Sequence, residues 1–154
     1  MSSHSHDHDK CIENALGAAR DICVARKTRF TPLRQQVLEL VWGGHAPVTA
    51  YELLDMLSHA GKKRVAPPTI YRALDFLIEE GFVHRLESLN AFVGCPDPAH
   101  KHQGHFLICR KCRMVTEVSD NRLMSHISRT AAAHGYICEN SMLEIMGLCT
   151  NCQS

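Results

Sequence analysis

Apolar residues recur at helical spacing along the first half of the chain and at strand spacing along much of the second. From Cys11 to about Ala25, the positions Ile12, Ala15, Leu16, Ala19, Ile22 and Cys23 form one stripe, which predicts an amphipathic first helix. Thr31 followed by Pro32 has the form of an N-cap and a first-turn proline, and Leu33, Val37, Leu38 and Val41 carry a second helix to Gly43-Gly44. The run Thr49 to Glu52 has the form of a capping box, with Leu53, Leu54 and Leu57 behind it and Gly61 as the predicted end of a third helix. A fourth opens on Pro67-Pro68, which a helix tolerates only in its first turn, and aligns Ile70, Ala73, Leu74, Leu77 and Ile78 up to Gly81. Next, "FVHRLES" and "NAFVG" are short strand-like runs around a Ser-Leu-Asn turn, hence a hairpin. Short helices followed by a hairpin predict a winged helix-turn-helix, with the helix before the wing as its recognition helix.

After Cys95 the pattern changes. "CPDPAHKHQGH" is rich in Pro, His and Gly and is expected to be a hinge. "HFLIC" and "MVTEVS" predict strands, residues 120–134 a helix capped by Gly135, and "YICENSMLEIMGLC" one last long strand. The expected fold class is α+β, an N-terminal winged helix-turn-helix domain plus a small C-terminal α/β dimerisation domain. The expected parts are a disordered tail over 1–10, a winged-helix DNA-binding domain over 11–94, a hinge loop over 95–104, and a dimerisation and zinc-binding domain over 105–154. A unit as small as the last needs a staple or an oligomeric partner, because its core is too small to hold it alone.

Composition limits the classes open to the chain. Its 154 residues are 45% hydrophobic and 21% charged, the balance of a soluble globular protein. No run approaches the roughly 18 to 20 apolar residues of a membrane span, and "MSSHSHDHDK" is polar where a signal peptide is apolar. A cytoplasmic protein with no membrane partner is expected. In a reducing compartment eight cysteines beside eleven histidines point to metal or redox use rather than disulfides. The net charge of +1 does not announce a nucleic-acid binder. Local charge is more informative: Arg20, Arg26, Lys27, Arg29 and Arg34 oppose only Asp21, and "GKKR" at 61–64 adds a second cluster. Each is either a phosphate-contacting patch or an ordinary solvated face.

Cys109-x-x-Cys112 and Cys149-x-x-Cys152 are the strongest chemical signal. Each CxxC turn presents two sulfurs to one point, and two such turns complete a tetrahedral zinc site with no open position. A redox CxxC belongs at a helix N-terminus in a thioredoxin-like unit, whereas each pair here follows a predicted strand. Structural zinc is therefore expected, with its binding energy acting as folding energy. A second set of donors surrounds the hinge: His84, Cys95, His100, His102, His105 and Glu117. One thiolate, two imidazoles and a carboxylate suit Zn2+, while the alternative is a wing histidine, a small buried thiol and solvated loop histidines.

Catalytic readings fail on their motifs. The H-x-E and P-C-x-x-C of zinc deaminases are missing, as are G-x-S-x-G, a P-loop and G-x-G-x-x-G, so no catalytic residue and no enzyme activity are expected. Cys11, Cys23 and Cys138 lie on helix or strand patterns and are expected to be packed rather than reactive. "HSHDHD" at 4–9 is expected to be a solvated tail, with weak metal binding as the alternative. On the fourth helix Tyr71, Arg72 and Asp75 lie off the apolar stripe. Arginine donates two hydrogen bonds to guanine and an aromatic edge packs on thymine methyl groups, so Tyr71 and Arg72 are candidate base readers; otherwise Tyr71 is partly core and Arg72 pairs with Asp75 or Glu79.

The order of "FTPLRQQVLELV", "TAYELLDML", "PPTIYRALDFLIEEGFVHR", a His-rich hinge and "CRKC" with "CTNC" resembles the Fur family of metal-dependent repressors, and within it the zinc-responsive branch. The resemblance covers about residues 11–152. It implies a homodimer that binds double-stranded operator DNA, an AT-rich palindrome, when zinc-loaded and represses zinc-uptake genes. Carried over by residue, it implies structural zinc on Cys109, Cys112, Cys149 and Cys152 and regulatory zinc on His84, Cys95, His102 and Glu117, two ions per subunit. His100 and His105 are alternatives to His102. A third family site needs an acid in the second-domain helix where this chain has Met124 and Ser125, and it is not expected. For DNA, the resemblance implies base contacts from Tyr51, Tyr71 and Arg72 and phosphate contacts from the basic first segment. The thiolate of Cys95 selects softer Zn2+ over iron. An iron-responsive relative and a zinc-binding module without DNA function are the competing readings.

Overall fold

The computed structural model describes residues 7–44, 46–60, 64–100, 102 and 104–153. The chain divides into two compact units, Met1–Lys101 and His102–Ser154.

The first unit opens with α1 (His8–Arg26), α2 (Pro32–Trp42), α3 (Ala50–His59) and α4 (Pro67–Glu79) and closes with the hairpin β1 (Val83–Leu86) and β2 (Ala91–Gly94). Helix α1 begins at His8 and not at Cys11. Asp7 is its N-cap and Asp9 lies in its first turn, where a negative charge suits the helix dipole. A wholly polar first turn leaves no trace in hydrophobic periodicity, which is why the expected tail over 1–10 ran three residues too far; its residues 1–6 lie outside the described residues. The α2 cap is Thr31, which accepts from the Arg34 N–H. The α3 capping box closes in both directions, with Thr49 N–H donating to Glu52 at 2.7 Å and Glu52 N–H to Thr49 Oγ1 at 3.2 Å. That helix ends at His59 with Ala60 as its cap, and Gly61 lies outside the described residues.

The apolar stripes converge on one core containing Ala19, Leu38, Leu53, Ile70, Leu74, Leu77 and Phe82. Strands β1 and β2 are antiparallel, with His84 opposite Val93, and a bridge from Val48 to Phe92 ties the start of α3 to the wing. Gly94 lies against Trp42, where an added Cβ would meet the indole at 2.2 Å. This position admits no side chain, because a real contact that short does not occur. The unit is a winged helix-turn-helix.

The second unit holds β3 (His105–Cys109), β4 (Val115–Val118), α5 (Asn121–Ala133), β5 (Leu143–Gly147) and a short 3-10 turn over Thr150–Cys152. Its sheet runs in the order β4-β3-β5, antiparallel between β3 and β4 and parallel between β3 and β5. Helix α5 is capped by Asp120, which accepts from the Arg122 and Leu123 N–H groups, and Gly135 follows it at φ +82°. The expected long strand after it is corrected: residues 136–142 are irregular and only Leu143–Gly147 pair. Two causes act together. Asn140 and Ser141 are residue types that favour turns over strands, and β3 offers only five residues to pair with. The buried apolar residues of this unit are Phe106, Ile108 and Cys109, and α5 buries none of its own. So small a core is the reason a staple is needed.

Candidate metal centres and nucleic-acid face

The four-cysteine centre follows from the strand pairing. Because β3 and β5 are parallel, with Cys109 opposite Gly147, the CxxC turn after each strand emerges at the same end of the sheet. The first turn closes by hydrogen bonds from Arg113 N–H to the Cys109 carbonyl and from Cys109 N–H to the Met114 carbonyl, both 2.9 Å, with Arg113 at φ 61°. The second closes by Cys152 N–H donating to the Cys149 carbonyl at 2.8 Å. The sulfurs of Cys109, Cys112, Cys149 and Cys152 all lie within 4.8 Å of one another. Cys112 and Cys149 are 3.7 Å apart. A tetrahedral Zn–S bond of about 2.3 Å places sulfurs roughly 3.8 Å apart, so the set has the size of a zinc site. None of the eight cysteines is in a disulfide.

Cys109, Cys112 and Cys152 hold their protons very differently. The Cys112 backbone N–H, and after it the Cys149 N–H at 3.4 Å, lower the Cys109 thiol to about 6. Cys152 is pushed up to about 12 by its contact with the Cys149 side chain and then by burial. Cys112 is also raised: the Met114 N–H draws it down, but the side chain of Cys109 and desolvation outweigh that. The Cys109 thiolate therefore forms readily, and contact with Cys109 disfavours ionisation of Cys112 and Cys152. A divalent cation reverses the balance by giving every sulfur an opposite charge.

The other expected ligand set divides between the units, two residues in each. In the first unit, Cys95 extends the β1–β2 ladder, its N–H donating to the Phe82 carbonyl at 2.9 Å. That register makes His84 and Cys95 diagonal neighbours on one face of the wing, and their ligand atoms lie within 4.8 Å. Cys95 is 3% exposed. In the second unit, His102 Nε2 and Glu117 Oε1 are 2.5 Å apart. The alternatives to His102 are engaged elsewhere: His100 Nδ1 faces Asp97 Oδ1 at 3.0 Å, and buried His105 places Nε2 3.3 Å from Ser141 Oγ.

On the candidate nucleic-acid face, Ile70, Ala73, Leu74 and Leu77 hold α4 to the core, leaving Tyr71 and Arg72 exposed on its other side. Tyr71 is 49% and Tyr51, at the start of α3, 81% exposed. Among the described residues Arg72 makes no ion pair with Asp75 or Glu79. The basic first segment is less available than its charge suggests. Arg26 is bonded to Glu80 at 2.9 Å, Arg20 donates to Gln35, and Arg34 stacks 3.7 Å over the Phe76 ring while donating to the Arg29 carbonyl. Lys27, Arg29 and Arg64 remain as exposed cations, and Lys62 and Lys63 lie outside the described residues. Hydrophobic pattern cannot separate a cation that braces a helix from one that faces solvent, because both lie off the apolar stripe.

Comparison with known proteins places this geometry. The sequence matches the ferric uptake regulator family over residues 25–146. It is 38% identical over 143 residues to the zinc uptake regulation protein of Escherichia coli strain K12, covering 91% of this chain and 82% of that one. Among solved structures, a zinc uptake regulator complexed with zinc and DNA has a TM-score of 0.84 at 37% identity, covering 91% of this chain and 93% of that one. The crystal structure of holo XcZur has a TM-score of 0.79 at 44% identity, covering 88% and 94%. Winged helix, cysteine knuckles and sequence likeness agree: the chain belongs to the ferric uptake regulator family.

Proposed function

We propose that this protein is a zinc-responsive transcriptional repressor that binds operator DNA as a dimer when zinc-loaded and represses zinc-uptake genes. The observation that carries this is its likeness, over 91% of its length, to a zinc uptake regulator complexed with zinc and DNA. In this reading residues 11–94 bind DNA, 95–104 are the hinge, and 105–154 dimerise and hold zinc. Cys109, Cys112, Cys149 and Cys152 hold structural zinc. His84, Cys95, His102 and Glu117 hold the regulatory ion, and the pairings of His84 with Cys95 and of His102 with Glu117 support that assignment. When bound, zinc supplies positive charge that ionises the thiols and fixes its ligands in one geometry. The chain's own part is to present Tyr71 and Arg72 to base edges, with Tyr51 beside them.

Zinc acts as corepressor if it favours the DNA-competent arrangement, and by reciprocity operator DNA then tightens zinc binding. The exposed apolar residues of the second unit support dimerisation there. No helix among the described residues is long and apolar enough to cross a membrane. An iron-responsive reading is disfavoured by the thiolate of Cys95.

The test is a zinc-titrated gel shift on an AT-rich palindrome. Wild-type protein is expected to bind with zinc and to release with chelator. Cys95→Ser is expected to remain a folded dimer with its four-cysteine zinc, yet to lose the zinc response. Full zinc-dependent operator binding by Cys95→Ser would refute the ligand assignment, and zinc-independent binding by wild type would refute the function.

A further inference from the structure

We infer that Asp75 is a specificity-determining residue of the recognition helix, accepting a hydrogen bond from the amino group of a cytosine beside the guanine that Arg72 reads. This rests on the proposed function, in which Tyr51, Tyr71 and Arg72 face the bases, and adds a further reader to them. The decisive feature is which residues form the outermost row of α4. Ile70, Ala73, Leu74 and Leu77 are buried, whereas Pro68, Arg72, Asp75 and Glu79 are exposed. These four recur at spacings of four, three and four residues, so they line the side of the helix away from the core. Along that row the chemistry runs from an apolar ring through a cation to two carboxylates.

The Asp75 carboxylate does no work within the protein. Among the described residues it makes no ion pair and no side-chain hydrogen bond. Other carboxylates of this unit are occupied: Glu80 holds Arg26 at 2.9 Å, Glu52 closes the α3 capping box, and Asp97 faces His100. An exposed negative charge on the face that enters the major groove is repelled by the phosphates, so it costs affinity for every duplex. That cost is offset only where the groove supplies a hydrogen-bond donor.

The base follows from what a carboxylate can do. When ionised it accepts hydrogen bonds and donates none. In the major groove guanine offers acceptors, thymine an acceptor and a methyl group, and adenine an acceptor beside its amino group, whereas cytosine offers its amino group alone. Cytosine is therefore the base that Asp75 meets without a facing acceptor. Its place follows from helix geometry. Asp75 lies three residues after Arg72, about 4.5 Å along the helix axis, against a rise of about 3.4 Å per base pair. The two side chains thus reach one base pair or two adjacent ones, with Arg72 on guanine and Asp75 on cytosine. Glu79 ends α4 a further turn from the N-terminal part with which recognition helices read bases, and it stays outside this pair.

The test selects duplexes from a randomised library with zinc-loaded, full-length wild type, Asp75→Ala and Asp75→Asn, and then titrates the selected sites. An exposed helical position without partners tolerates both changes. Wild type is expected to enrich a guanine and a cytosine in one base pair, or in adjacent ones, of each half-site. Asp75→Ala is expected to lose about fivefold or more of the cytosine preference, to keep the guanine preference, and to bind unselected duplex more tightly. Asp75→Asn is expected to move the preference at that position toward adenine, whose amino group and ring nitrogen an amide pairs with together. An unchanged profile in Asp75→Ala overturns the inference, since the carboxylate is then merely solvated. Loss of the guanine preference in Asp75→Ala overturns it as well, because Asp75 then acts only by positioning Arg72. So does a wild-type site with no cytosine in or next to the base pair of that guanine. A wild type that selects no sequence at all refutes the DNA-binding function itself, a result distinct from the other three.

Discussion

Cys109 and Cys152 sit within 4.8 Å of each other, yet one thiol is lowered to about 6 and the other pushed up to about 12. The cause is position within the two turns: Cys109 is met by the backbone N–H groups of Cys112 and Cys149, whereas Cys152 faces the Cys149 side chain. The consequence is measurable. In metal-free protein at pH 8, Cys109 is already ionised, while Cys112 and Cys152, both raised, keep their protons. Zinc needs all four as thiolates, so binding in the four-cysteine centre is expected to release about two protons or more per ion. An indicator dye in weak buffer reads this directly, and release of one or none contradicts the assigned ionisation order. The sign also sets the pH dependence: as pH falls, protons compete for the sulfurs, zinc affinity drops, and the metal's contribution to folding goes with it. The cysteine spacing was legible in the sequence. The division of labour among the thiols was not, since it depends on which N–H groups the folded turns aim at each sulfur.

At the scale of elements, α4 shows how much a hydrophobic stripe determines and where it stops. The positions of Ile70, Ala73, Leu74 and Leu77 say which side of the helix faces the core, and the structure agrees. They also leave Arg72 on the outer side, where it makes no pair with Asp75 or Glu79 among the described residues. Arg72→Ala is therefore expected to weaken binding to the operator by about 1 to 3 kcal/mol if the arginine bonds guanine in bidentate fashion. Non-specific binding should change little, and titrations of the operator and a scrambled duplex at one salt concentration compare the two. Equal losses on both duplexes would make Arg72 a phosphate contact instead. Helix ends were the less legible part. A wholly polar first turn began α1 before its stripe, and Asn140 and Ser141 cut short a run whose apolar content suggested a longer strand.

At the scale of the whole molecule, the second unit leaves large apolar side chains exposed. Its sheet ends on β5, an edge strand, and Leu107 and Ile145, opposite each other in register, are 43% and 46% exposed. Met146 and Leu148 add to the exposed apolar surface. An edge strand with apolar side chains invites pairing with another chain. Ile145→Glu is expected to convert a dimer to monomers while leaving the four cysteines able to bind zinc. Light scattering with zinc analysis decides it, and a persistent dimer would move the interface elsewhere. With dimerisation lost, operator affinity should fall steeply, because two half-sites are then no longer bound by one molecule.

The sequence by itself determined the donors and the local elements: two CxxC pairs, a His-rich hinge, capped helices and a hairpin. These depend on spacing and on chemistry within a few residues, where hydrogen bonds and side-chain periodicity act directly. Only the tertiary structure decided that CxxC turns separated by 36 residues share one end of a sheet, through the parallel pairing of β3 with β5. Only it assigned Arg26 and Arg34 to bracing helices, or placed Cys11 beside the cleft that holds Cys95. Those outcomes rest on contacts between distant segments, whose closure is settled by the packing of the whole unit and by no local pattern.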